Sequence, residues 1–160
     1  MEPIPHPSEE PVWTGTAANR GALLVAAALM VPVLVPMTQR SGGVMPIAAL
    51  LAVAPLVVAA LLFSSVRVVV GPQEVMAGLG PWGWPRRRYP MAQVRCALAD
   101  VIEPTQRGGW GYRVGRYGPS IIVRRGEALV LNLYGGDEFT VTVDGAADAA
   151  MVVNSYLPGR

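Results

Sequence analysis

Two long runs without a single charge occupy most of the first 66 residues. Residues 21–37 read GALLVAAALMVPVLVPM, and residues 44–66 read VMPIAALLAVAPLVVAALLFSSV. A helix that crosses a bilayer needs about 20 apolar residues, with about 17 as the lower limit. The spacing therefore predicts a hairpin of two membrane helices over 21–37 and 44–66, with Pro32 and Pro36 in the final turns of the first. Proline is tolerated in such helices because neighbouring groups satisfy the freed carbonyls. Only TQRSGG separates the runs, too little for anything but an antiparallel return. Residues 1–20 are rich in Pro and Glu, have no apolar period and read as a disordered leader. An acidic leader and the lack of a small-residue cleavage site argue against a signal peptide.

Beyond Arg67 the period shortens to two. In DEFTVTVD, Phe139, Val141 and Val143 share one face, with Thr140 and Thr142 on the other. Short apolar runs separated by GPQ, RRGE and YGGD predict strands near 67–70, 73–79, 86–90, 93–102, 110–114, 119–125, 127–134 and 137–143. The last element returns to helical spacing over 145–157, where Ala146, Ala149, Ala150, Val153 and Leu157 form an apolar stripe. Asp144 is placed to cap this helix, and Asp148 lies near the positive end of its dipole. The fold expected is α+β: a transmembrane hairpin, then a small antiparallel barrel over 67–157 closed by the C-terminal helix.

Charge adds an orientation and little else. The formal net charge is +2, and every one of the 13 basic residues is Arg. Arg67, Arg86, Arg87, Arg88 and Arg95 follow the second run, whereas the intervening loop holds only Arg40. The positive-inside bias then predicts a multi-pass protein of the cell membrane with both termini in the cytoplasm. Cys96 is the sole cysteine and His6 the sole histidine, so no disulfide, cysteine–histidine pair or zinc-ligand spacing exists. Cys96 reads as a small buried packing residue. No catalytic, cofactor-binding or metal-binding residues are assigned.

Three stretches carry candidate chemistry. GLGPWG (78–83) matches G-x-G-x-x-G, but Pro81 and Pro85 bar the helix whose N-terminus would hold a pyrophosphate, so it reads as a turn. RGGWGYRVGRYG (107–118) interleaves aromatics with Arg, as single-strand binders do. The reading favoured for a membrane-tethered chain is a long loop and hairpin whose Trp110 and Tyr112 plug the barrel while Arg113 and Arg116 face water. PWGWPRRRYP (81–90) is the densest feature of the chain. Trp82, Trp84, Arg86 and Arg88 are the candidate contacts to anionic lipid, because Trp and Arg are both favoured at a membrane interface. A binding patch for another partner and a solvated hairpin edge are the alternatives. In a strand Arg86 and Arg88 share one face and Arg87 takes the other.

The order of these elements resembles that of membrane-anchored bacterial pleckstrin-homology-like (PH-like) proteins. The resemblance rests on RVVVGPQEVMAGLG, YPMAQVRCALADV, GGWGYRV, SIIVRRGEALVLNL and EFTVTVDGAADAAMVVNSYL. It implies a bent, seven-stranded barrel capped by the final helix. The tight GPQ loop holds no basic residue, so phosphoinositide binding does not carry over from the eukaryotic domains. The function expected is a non-enzymatic, two-span protein whose cytoplasmic domain is a lipid-facing or protein-binding platform; the rival is an accessory subunit of a membrane enzyme or transporter. Its partners would be the bilayer, anionic headgroups and a membrane protein or a second copy of the chain, without nucleic acid.

Overall fold

A computed structural model describes residues 13–21, 24, 25, 27, 28, 30, 31 and 45–157. The TQRSGG return (38–43) expected between the two runs and the residue His6 lie outside the described residues. The strands fall close to where the period-two pattern places them. They run β1 (Trp13–Ala18), β2 (Ser65–Val70), β3 (Glu74–Leu79), β4 (Arg86–Pro90), β5 (Val94–Ile102), β6 (Gly111–Gly115), β7 (Gly118–Ile122), β8 (Gly126–Leu133) and β9 (Glu138–Thr142). Helices span Met45–Leu62 and Ala146–Tyr156.

The strands form two open sheets instead of a barrel. One is antiparallel in the order β1-β2-β3-β4; the other is ordered β5-β8-β9-β7-β6. Within the second sheet β7 and β9 run parallel, pairing Ser120 with Thr140 and Ile121 with Val141. The remaining ladders are antiparallel. The chain passes between the sheets through a 3-10 turn at Met91–Gln93. No backbone ladder closes β4 onto β6, so each sheet keeps two edges.

The core fills the space between the sheets and the C-terminal helix. Val66, Val68 and Val70 of β2 alternate inward with Val75, Ala77 and Leu79 of β3, opposite Leu129, Leu131, Phe139 and Val141. Tyr89 from β4 meets Phe139 with ring centroids 4.4 Å apart. The stripe Ala146, Ala149, Ala150 and Val153 seals this core. Each large apolar side chain buried there contributes about 1.5–3 kcal/mol. Thr140 and Thr142 are also fully buried, so β9 is covered on both faces. A second cluster, Ile102, Ile122, Ala128 and Val130, accounts for the other side of the sheet.

The apolar runs depart furthest from expectation. Among the described residues, no helix is long and apolar enough to cross a membrane. The two-span hairpin, the multi-pass cell-membrane assignment, both proposed functions built on it and the topology with both termini cytoplasmic are overturned together. The second run is divided: its helix ends at Leu62, while Ser65 and Val66 already belong to β2. Eighteen helical residues rise about 27 Å, short of a hydrocarbon core of about 30 Å. In the first run, the described positions between Arg20 and Val31 are helical.

The leader is corrected as well, because Trp13–Ala18 is a strand paired with β2 in register from Trp13↔Val70 to Ala18↔Ser65. Beyond that ladder the Asn19 N–H donates to the Ser64 carbonyl at 2.6 Å. The residues that would have closed a disordered tail instead complete a sheet. Asp144 does not cap the C-terminal helix; the N-cap is Gly145 in a left-handed conformation, and the Asp144 carboxylate is engaged by Arg124.

Candidate functional site

The sharp reversal between β3 and β4 sets up the site. Gly78 and Arg86 are paired across these strands, and Gly78 is paired with Arg67 on the other side. The row Arg67–Gly78–Arg86 thus crosses three strands on the outer face of the sheet. Gly78 leaves room above itself, and the turn uses it: a Cβ there would lie 2.6 Å from the Gly83 carbonyl oxygen. Gly80 turns with a positive φ of 74°, which a side chain disfavours. Its N–H donates to the Ser65 carbonyl at 2.7 Å. GLGPWG is therefore a turn folded over the sheet, as Pro81 within it and Pro85 after it require.

Between this turn and the sheet lies a cleft of about 240 Å³, lined by Arg67, Val69, Met76, Gly78, Pro81, Trp82, Gly83 and Arg86. Trp82 and Trp84 stand 63% and 68% exposed. Large apolar side chains so open to water mark a contact surface when they cluster. Phe63 packs over Gly111, and Leu62 packs against Gly80 at the base of the turn.

Arg86 and Arg88 do share the outer face, and Arg87 is directed to the other one. Arg88 lies 3.5 Å from Glu74 on that outer face. Arg87 bonds the Tyr112 hydroxyl and sits 5.1 Å from the centre of its ring, so it ties the free edge of β4 to the edge strand β6. The three consecutive arginines consequently have three different situations. Arg86 and Arg67, both exposed, have no carboxylate within ion-pairing distance among the described residues.

Other basic groups are structurally engaged. Arg107 pairs with Glu138 at 2.9 Å and covers the Tyr117 ring at 5.0 Å, and Arg125 pairs with Glu103 at 3.1 Å. The stretch 107–118 is a hairpin whose Arg113 and Arg116 face water, as expected. Trp110 is corrected: it stays exposed and plugs nothing, while Tyr112 packs half-buried at the core margin. Cys96 is also half-buried rather than enclosed, and Asn132 Nδ2 donates to its sulfur at 3.4 Å.

The lining of the cleft offers two guanidinium groups, apolar side chains and backbone, with no carboxylate, thiol, imidazole or hydroxyl side chain to move a proton or attack a bond. Among the described residues no group of His, Cys, Asp or Glu could hold a metal ion. Arg67 is the site residue that sequence reasoning missed. Its signal was present, since a hairpin turning at GPQ places residue 67 opposite residue 78. No family model matches the chain, and no curated protein or solved structure matches it.

Proposed function

We propose that this chain is a non-catalytic binding protein, PH-like in its order of elements, that meets anionic lipid headgroups with the outer face of its four-stranded sheet. On this reading Trp82 and Trp84 supply apolar contact, and Arg86 and Arg88 supply charge. The observation that carries it is Arg86 and Arg88 on one strand face, with exposed Trp82 lining the same cleft as Arg86 and exposed Trp84 two residues before it in the chain. The reading requires no spanning helix. Each Arg near an anionic surface contributes about 1 kcal/mol, so two give a contact that is weak, reversible and sensitive to salt. Arg113 and Arg116 lie on the hairpin of β6 and β7, in the other sheet from this face. Nucleic acid is accordingly not the partner proposed.

The test is co-sedimentation of the full chain with phosphatidylcholine vesicles, with and without phosphatidylserine. Binding is expected only to the anionic vesicles, with loss at high salt. The double variant Arg86→Gln, Arg88→Gln should lose more binding than Arg87→Gln, whose arginine is turned to Tyr112. Equal binding to both vesicle types, or equal loss from all variants, would remove this reading.

A further inference from the structure

We propose that the cleft between Arg67 and Arg86 is a site for one phosphomonoester dianion. The inference rests on the anionic-headgroup reading and narrows it from a charged face to a shaped site with Arg67 as a member. Arg67 and Arg86 flank Gly78 in a single cross-strand row. Two strand spacings separate their backbones by about 10 Å; the Gly83 backbone of the turn lies over the intervening Gly78, so the cleft opens beside it. Both guanidinium groups leave the same face of the sheet, and each presents a planar fork that matches the oxygens of a phosphate.

Charge selects the ligand class. Among the described residues neither arginine has a carboxylate partner, whereas the neighbouring Arg88 has Glu74. A dianion neutralises both free cations, and a monoanion leaves one unmatched. A cleft of about 240 Å³, open to solvent on one side, has room for a phosphate and the atoms next to it. Trp82 walls one side, and Val69 and Met76 line the cleft, so the carbon attached to the ester oxygen meets an apolar surface. The phosphomonoester could be a lipid headgroup or a water-soluble compound, which have the same terminal group.

The experiment is calorimetric titration of the full chain with phenyl phosphate and with methyl phenyl phosphate, at constant ionic strength. It is run about two pH units above the second phosphate pKa of about 6, where the monoester is a dianion and the diester a monoanion. Phenyl phosphate should bind at least about tenfold more tightly, the equivalent of one charge-assisted bond of about 1.4 kcal/mol. Arg67→Gln and Arg86→Gln should each weaken it by about tenfold or more. Arg95→Gln removes the same charge from the other sheet and should change affinity by less than about twofold. Thermal unfolding of the two cleft variants, both at exposed positions, checks that the fold is retained.

Vesicles with phosphatidic acid or phosphatidylserine, matched in surface charge, then identify the source. Preference for phosphatidic acid supports the site with a lipid ligand. Phenyl phosphate binding without that preference supports it with a water-soluble one. Equal affinity for monoester and diester, no binding of either, or equal weakening by Arg95→Gln overturns the cleft proposal. Those results leave the surface reading standing if phosphatidylserine vesicles still bind. Conversely, phenyl phosphate binding without binding to any vesicle ends the surface reading and keeps the cleft.

Discussion

The side chain of Asn154 grips the backbone of Ala97 from both sides: Oδ1 accepts the Ala97 N–H at 2.9 Å, and Nδ2 donates to its carbonyl at 2.8 Å. Ala97 lies on β5, an edge strand. The amide of one helical residue thus substitutes for a missing neighbouring strand and fixes the C-terminal helix against the sheet. Unmanaged edges are templates for pairing with other chains. Asn154→Ala should cost about 1–3 kcal/mol, because it orphans both groups. Asn154→Asp keeps the acceptor and loses the donor. Urea unfolding at neutral pH should rank wild type above both variants, and the alanine variant should aggregate sooner on heating.

Arg87 and Tyr112 connect two sheet edges that no backbone ladder joins. An exposed cation–π contact contributes about 0.5–1 kcal/mol. A double-mutant cycle with Arg87→Gln and Tyr112→Leu should return a coupling energy of that order. A value near zero would mean that the two edges are held by the core alone.

Burial of the Tyr89 phenol raises its pKa from 10.0 to about 12; nearby Arg87 opposes the shift, and Tyr112 and Asp137 add to it. The unfolded chain releases this proton above pH 10, while the folded chain holds it to about pH 12. The group's contribution is therefore complete below pH 10 and is lost as the pH rises to about 12. The loss amounts to roughly 3 kcal/mol. Tyr89→Phe should remove a phenol that ionises near pH 12 from an absorbance titration and should flatten the fall in stability over that interval.

Gly78→Ala places a methyl group against the Gly83 carbonyl and displaces the turn that carries Trp82. Overpacking of this kind costs about 1–3 kcal/mol. The variant should unfold at lower urea concentration and show altered tryptophan fluorescence. By contrast, alanine at Gly135, where a Cβ meets nothing within 4 Å, should leave both measurements close to wild type.

The period-two pattern beyond Arg67 was legible almost residue by residue, since half-buried strands alternate. So was the division of Arg86 and Arg88 from Arg87, because strand geometry alone dictates it. What failed was anything decided by partners distant in sequence. Trp13–Ala18 carries no signal of its own and becomes a strand only because β2 offers it an edge. The parallel pairing of β7 with β9, and hence the open sheets, depends on which side of β9 is left after β8 has paired. Apolar content alone also could not show that Ser65 and Val66 would leave the helix for the ladder. Arg67 was overlooked as a site residue because its partner across the cleft is two strands away.

The antiparallel register of β1 and β2 has a consequence for modularity. Ala18 and Ser65 are direct neighbours, and the bond from Asn19 to Ser64 closes the gate behind them. At this point the chain leaves the two-strand ladder and later returns to it, and Leu62 and Phe63 on the returning side pack against Gly80 and Gly111. Joining the chain there, with Asn-Gly in place of residues 19–64, would turn the pair into an ordinary hairpin. It would also reduce the entropic cost of closure by roughly 2–3 kcal/mol. Among the described residues, nine strands and the final helix thus form a chassis that the apolar stretch interrupts between neighbouring positions, and the parts of that stretch the chassis depends on are those that touch it, Asn19, Leu62 and Phe63.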